Sequence, residues 1–356
     1  MGRVKGTAAI IGGGIGGLAT AVALGRDGWQ AVVYEREAGL SGAGTALGIW
    51  PAALRALDAL DLGDRVRALG QAQRSGAFQR PDGRRIATLD VAALERRTGD
   101  AVVLLSRPAL LEVLRSALDP SVLRFATPVR DLDALRRGHD LVVAADGIFS
   151  RTRRELFGAA TAARYTGRTA WRGWLDGMPT DAFTETWGPG AKFGVTPQEQ
   201  GRTNWYATTT APERAFRPGA ELATLRTRFG DWAAPVRQVL DAVEEDGILR
   251  HDLYVVPPLP SFVRDTVVLV GDAAHAMPPD LGRGACEALI DAVALATALR
   301  AAPTVTAALH RYDAARRRPL RRLTRTAAAA SNLVHLRPLW VRDTLLRLAL
   351  LPGPPA

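Results

Sequence analysis

The stretch AAIIGGGIGGLATAVALGRDGWQAVVYERE, Ala8–Glu37, decides the fold. Ala8–Ile11 is a short apolar run bounded by glycine, which reads as a buried strand. Gly12, Gly14 and Gly17 follow it as G-x-G-x-x-G. The pattern predicts a helix from about Gly14 to Asp27, with Ala19, Ala21 and Ala23 small enough for close packing. A second apolar strand, Ala31–Tyr34, ends at Glu35. In such a unit the first glycine makes the tight turn and the second admits a pyrophosphate to the backbone. The third lets helix and sheet pack. An acid about twenty residues further on suits a ribose with free hydroxyls rather than a 2′-phosphate. Strand, turn, helix, strand and acid together imply a dinucleotide-binding α/β unit.

A second stretch points the same way. In VLVGDAAHAMPPDLGRGACEALID, Val268–Asp291, the run Val267–Val270 reads as a buried parallel strand closed by Gly271–Asp272. A loop holding Pro278 and Pro279 follows, and Gly282 and Gly284 open a helix near Ala285. A strand-end aspartate accepts hydrogen bonds from hydroxyls, while the free N–H groups of a helix start meet negative charge. A third strand, in LVVAADGIFSRTR (Leu141–Arg153), ends in Asp146–Gly147.

Taken in order, the chain carries GGGIGG, then LLSRPALLEVL (Leu104–Leu114), ADGIFSRTR and GDAAHAMPPDLGRG. YTGRTAWRGW (Tyr165–Trp174) and ETWGPGAKFGVTP (Glu185–Pro197) lie between them. This set resembles the class A FAD-dependent monooxygenases of the aromatic-hydroxylase fold. The salicylate-hydroxylase-like and zeaxanthin-epoxidase-like subgroup is the most similar, and the resemblance spans nearly the whole chain. The implied fold is α/β: a Rossmann-like FAD-binding domain, an inserted antiparallel-sheet substrate domain and C-terminal helices. The implied chemistry is reduction of FAD by NADPH or NADH and addition of O2 at flavin C4a. The hydroperoxide then passes one oxygen to a small-molecule substrate by hydroxylation or epoxidation. A flavoprotein of the same fold without oxygen insertion, such as an oxidase, a reductase or an FAD-scaffolded cyclase, is the alternative. No acid–base or metal constellation emerges from the residues, as expected where the flavin carries the chemistry.

The resemblance also implies roles for residues. Gly12, Gly14 and Gly17 would surround the pyrophosphate, Glu35 would bind the adenosine ribose, and Arg36 matches the basic residue beside that acid. Arg107 would reach the cofactor and Val129 would meet adenine through its backbone. Asp146 and Gly147 match a motif assigned to FAD and the nicotinamide cofactor. Asp272 would bind the phosphate–ribityl region, and Pro279 would wall the flavin. Leu281, Gly282 and Gly284 would present N–H groups to the flavin N1–C2=O edge. Three positions depart from the family pattern: Arg283 for glutamine, Ala52 for asparagine, and Ala285–Cys286 after the second helix-opening glycine. Arg283 either adds a charge near the flavin or points outward, and Cys286 reads as a small buried residue. His275 reads as structural. For the substrate pocket, Leu47, Ile49, Trp171, Phe193 and Pro279 are the expected walls, which suits an aromatic, polycyclic or alkene-bearing apolar molecule.

The organisation reads as discontinuous. Residues 1–70, 100–156 and 257–315 would form the FAD-binding domain. Residues 71–99 and 160–256 would form the substrate domain, and 316–356 a helical C-terminal segment. Strands are expected at Arg168–Leu175, Phe183–Trp187, Lys192–Thr196 and Thr203–Thr210, with a hairpin in Gln79–Asp90. One amphipathic helix is expected at Phe229–Val243, and helix beyond Pro319.

The 356 residues suffice for a sizeable core. The formal net charge of +10 would suit a polyanion partner, but the cations are spread along the chain. Arg316–Arg318 with Arg321 and Arg322 reads as a solvated helix face, so no nucleic-acid partner is expected. Leu336–Leu351 reads as a closing helix on the body, with a membrane-surface contact as the alternative. No run approaches the length of a membrane span. The single cysteine, Cys286, and the absence of a leader before the first strand point to the cytoplasm. Oligomeric state is not legible.

Overall fold

The computed structural model describes residues 5–178 and 180–350. The chain start before Lys5 and the end of the closing segment at Leu351 lie outside the described residues. Thr7–Ile11 sits at the centre of a six-stranded sheet. Its strand order is Val263–Arg264, Val267–Leu269, Leu141–Ala144, Thr7–Ile11, Gln30–Tyr34 and Leu123–Arg124. All pairs are parallel except the first. Parallel strands covered on both faces need continuous apolar runs. Leu141–Ala144 and Val267–Leu269 are accordingly buried at every position. Helices Ile15–Arg26 and Gly284–Ala301 pack on this sheet and on each other.

A seven-stranded sheet runs in the order Leu249–Val255, Arg164–Leu175, Thr203–Thr210, Ala191–Pro197, Phe183–Gly188, Gly76–Gln79 and Arg85–Leu89. It is antiparallel except where Phe183–Gly188 meets Gly76–Gln79. The four expected strands and the hairpin are therefore in one sheet. A third sheet, of three strands, was not expected: Ala46–Ile49, Val102–Ser106 and Gln71–Gln73 pair antiparallel. Gln71–Gln73, which fall at the start of the segment expected in the substrate domain, pair in this third sheet.

The helix expected at Phe229–Val243 is two helices, Glu221–Phe229 and Val236–Ala242. Gly230 ends the first, and Pro235 cannot donate to a helical ladder across the gap. Trp232 folds back between them onto Phe229, with ring centroids 4.8 Å apart. The described chain beyond Pro319 is mainly helical, and the helix that carries that proline, Val305–Leu333, begins well before it. The last helix is Leu339–Leu350. Among the described residues no helix is long and apolar enough to cross a membrane.

Candidate active site

The three motif glycines do different work. Gly12 has φ +105°, and a Cβ there would stand 2.5 Å from the Ala145 carbonyl oxygen, so only glycine fits. A Cβ on Gly17 would meet the Gly12 carbonyl oxygen at 1.9 Å. Gly17 is therefore the packing contact between helix and turn, not a wall of the cleft, which corrects its expected place around the pyrophosphate. Gly14 caps helix Ile15–Arg26 at φ −78° without a side-chain cap, and its Cβ position faces open space. The helix start is thus left with N–H groups free to meet an anion.

Gly12, Gly13 and Gly14 open onto a cleft of about 1010 Å³. Glu35, Arg36, Arg107, Val129, Asp146 and Gly147 line the same space. The Glu35 carboxylate accepts the Gly13 N–H at 2.6 Å and the Glu37 N–H at 2.9 Å, which fixes it beside the glycine turn. Asp146 Oδ2 accepts from Thr152 N–H and Oγ at 3.1 and 3.0 Å. Its Oδ1 is buried without a partner among the described residues, an acceptor left for a ligand donor. Arg107 stands between Glu35 and Asp272; burial lowers its pKa, and both acids favour its charge.

Asp272 is exposed by surface area, yet protein crowds the concavity around it. That crowding raises its carboxyl above the usual range, against His275, Arg107 and Arg153. A Cβ at Gly284 would lie 3.9 Å from Asp272 Oδ1, so the aspartate stands at the start of helix Gly284–Ala301. That start has no side-chain cap either. Asp272, Pro279, Leu281, Gly282 and Gly284 are not walls of the 1010 Å³ cleft but follow from Asp272 along one loop. Gly282 takes the left-handed conformation there, at φ 61°.

Packing places two of the three departures from the family pattern, Arg283 and Cys286. Arg283 does not point outward. It is buried, pairs with Glu287 at 3.0 Å and lies over the Trp50 ring at 5.7 Å. Cys286 is buried, and its thiol, pushed up to about 11 by burial, donates to the Gly48 carbonyl. His275 Nε2 is 2.6 Å from Asp291, which also accepts from Gly271 N–H and pairs with Arg316.

The face of the seven-stranded sheet turned toward this loop carries a cluster of polar side chains, with Phe78 and Trp187 beside it. One rung across it reads Leu249, Arg172, Tyr206, Gly194 and Glu185. The Tyr206 ring lies flat over Gly194, where a Cβ would be 2.1 Å from Cζ, and its hydroxyl donates to Glu185. Lys192, in the next rung, pairs with Glu185 at 3.3 Å and with Asp280 at 3.0 Å. Asp280 belongs to the Pro279–Leu281 turn, so this ion pair ties sheet to loop. Burial opposes the Lys192 charge, but the two carboxylates raise its pKa. Asn204 accepts the Ala46 N–H on the same side. Arg172 has no carboxylate within ion-pair distance among the described residues; burial lowers its pKa, and Tyr206 opposes that shift.

Trp171 and Phe193 are not on this face. Both belong to the cluster packed against helices Glu221–Phe229 and Val236–Ala242. Phe193 is fully buried, stacked on Trp205 at 5.7 Å. Ile49 is likewise fully buried, in the core around helices Ile15–Arg26 and Gly284–Ala301, and Leu47 packs against that core. Pro279 is exposed. The sequence reading missed Glu185 and Lys192, and it preferred Trp171 and Phe193 to Arg172 and Tyr206 in the same sheet. Lys192 carried a signal, a charge between apolar Ala191 and Phe193; Glu185 carried none, since Thr184 and Thr186 flank it.

Comparison with known proteins agrees with this geometry. An FAD binding domain family profile matches residues 5–327. An aurachin C monooxygenase/isomerase from Stigmatella aurantiaca is 35% identical over 325 residues, covering 87% of this chain and 85% of that protein. An FAD-dependent urate hydroxylase from Klebsiella pneumoniae is 30% identical over 346 residues, covering 92% and 90%. The crystal structure of Klebsiella pneumoniae HpxO with FAD and uric acid superposes with a TM-score of 0.87 at 28% identity. It covers 97% of this chain and 92% of that one.

Proposed function

This chain belongs to the FAD binding domain family, and we propose that it works as a single-component monooxygenase taking its electrons from NADH or NADPH. Its relatives are FAD-dependent monooxygenases, and FAD is its cofactor. Bound FAD, once reduced, supplies the electrons with which O2 gives one oxygen atom to the substrate and the other to water. The observation that carries the reading is the cleft itself. An uncapped helix start, the open Gly14 position, the fixed Glu35 carboxylate and the unpartnered Asp146 Oδ1 match an anionic, hydroxylated ligand.

The roles follow from charge and donors. The N–H groups above Gly14 take the pyrophosphate, Glu35 takes ribose hydroxyls, and Val129 borders the base. Arg36 and Arg107 add positive charge, Arg107 between the two halves of the site. Asp146 and Gly147 border the cofactor, and Asp272 accepts from the hydroxylated chain between pyrophosphate and ring. The start of helix Gly284–Ala301, with Leu281 and Gly282, turns N–H groups toward the ring edge that becomes negative on reduction. Gly17 supports the Gly12–Gly14 turn by packing. We assign the six-stranded sheet to the FAD-holding unit and the seven-stranded sheet to the substrate side. A lone buried cysteine suits a reducing cytoplasm.

The substrate faces Arg172 and Tyr206. A guanidinium crowded by protein and lacking a carboxylate partner favours an anionic or strongly polar oxygen on the bound molecule. We therefore read the substrate as a small aromatic carrying such an oxygen, as urate does for the hydroxylase relative. The test is the visible spectrum of the purified protein, followed by NADH and NADPH titration in air with a panel of such aromatics. Flavin bands bleached faster by one compound, with an oxygenated product, are expected. Bound flavin that neither nucleotide reduces, or reduction that yields only hydrogen peroxide with every compound, would overturn the reading.

A further inference from the structure

The last two helices turn opposite chemistries to solvent. Helix Val305–Leu333 buries Leu309, Tyr312, Leu320, Ala327 and Ser331 along one side. At about 3.6 residues per turn, the opposite side carries Arg311, Arg318, Arg322 and Arg325, with Arg321 at its edge. All five are exposed. Arg316 and Arg317 are neutralised by Glu287, Asp291 and Asp313. The guanidinium groups of Arg318, Arg321, Arg322 and Arg325 have no partner among the described residues. This is a face of uncompensated positive charge.

Helix Leu339–Leu350 buries Arg342, Asp343 and Leu346. Arg342 donates to the Gly188 carbonyl and Asp343 pairs with Arg80, which anchors that side to the body. Opposite the anchor stand Trp340, Thr344 and Leu348, flanked by Leu345. Trp340 is 68% exposed, Leu345 42% and Leu348 55%. Of the seven large apolar side chains exposed among the described residues, three fall on this one helix, so the patch is not scattered surface. Arg337 is exposed in the turn between the helices, three residues before Trp340, and joins the two faces along the chain.

We propose that the solvent faces of these two helices form a peripheral docking surface for an anionic lipid bilayer. The arginines would meet headgroup phosphates, while Trp340, Leu345 and Leu348 enter the headgroup–acyl boundary. A nucleic acid would use the arginines but leave the apolar side chains in water. A second copy of the chain would cover the apolar side chains but bring like-charged faces toward each other. An anionic bilayer satisfies both. The contact is peripheral, since no described helix is long and apolar enough to cross.

The test mixes the FAD-loaded full chain with sedimentable vesicles of phosphatidylcholine, with or without phosphatidylglycerol. Binding is expected only with the anionic lipid and weakens as salt rises. Arg318→Glu with Arg322→Glu should lower affinity by about tenfold or more. Trp340→Ser with Leu348→Ser should lower it by about tenfold. An unchanged flavin spectrum and melting temperature in both variants show that the fold is kept. Equal binding to neutral vesicles, no binding to either, or unaffected variants would overturn the proposal. So would a concentration-dependent dimer lost in the Trp340 variant without vesicle binding, which gives the face to a second copy. Duplex DNA binding that survives the Trp340 variant, again without vesicle binding, gives the arginines to nucleic acid instead.

Discussion

Gly14 and Gly17 are the same residue three positions apart, yet they answer to different parts of the molecule. Gly14 has an ordinary backbone and open space at its Cβ, so Gly14→Val should fold normally. Its side chain would instead stand where the pyrophosphate approaches. The expected outcome is an unchanged melting temperature with most of the flavin lost on gel filtration; full flavin loading would remove the pyrophosphate from this turn. Gly17→Val puts a side chain into the Gly12 carbonyl, and overpacking of this kind costs about 1–3 kcal/mol or more. Its melting temperature should fall, with flavin loss only as a consequence. Arg172 allows a sharper test of substrate choice. Arg172→Met should raise KM for an anionic aromatic by about 10–100-fold, as loss of a charge-assisted hydrogen bond worth about 1.5–3 kcal/mol implies. The KM of a neutral analogue should change far less, and equal effects on both would take Arg172 out of recognition.

At the scale of elements, strand alternation decides which residues can serve the site. The strands Arg164–Leu175, Ala191–Pro197 and Thr203–Thr210 were legible in the sequence from aromatic and β-branched content. Their facing was not, because each strand carries large side chains on both sides. Trp171 and Phe193 looked like pocket walls, but helices Glu221–Phe229 and Val236–Ala242 cover that face and bury them. The polar cluster looked ordinary until pairing set Arg172, Tyr206, Gly194 and Glu185 in one rung. Phe193→Ala should therefore cost about 3–5 kcal/mol, read by urea denaturation, while the KM of the refolded enzyme stays near the parent value. Substrate binding lost without a stability loss would return Phe193 to the pocket. The interrupted helix has the same lesson, since Gly230 and Pro235 weigh more than the periodicity that runs across them.

Across the whole molecule, one buried ion cluster joins three segments distant in sequence. His275, at the end of the Gly271 turn, meets Asp291 on helix Gly284–Ala301, and Asp291 meets Arg316 on the next helix. Burial alone would lower the His275 pKa, but Asp291 raises it above the ordinary value. A raised folded value means its stabilisation is complete below the unfolded pKa of about 6.5 and is lost as pH rises through the folded value. Burial would raise Asp291, but His275 and Arg316 hold it low. Its stabilisation is present above the unfolded value and is lost as pH falls through the folded one. Asp291→Ala should cost about 3–5 kcal/mol, because two buried cationic groups lose their partner. His275→Gln should flatten the fall in stability as pH rises above the unfolded value of about 6.5; denaturation curves with the same slope as the parent would detach His275 from it. What the sequence by itself determined was local: the βα turn at Gly12–Gly17, the acid at Glu35, the strand ends at Asp146 and Asp272, and the family they resemble. Those motifs work through neighbouring backbone, so a few consecutive residues specify them. The facing of the second sheet, the third sheet, the packing of Gly17, the pairing of Arg283 and the Lys192–Asp280 bridge were decided only by the tertiary structure. Each depends on which surface comes to lie against a side chain, and that surface is supplied by segments far away along the chain.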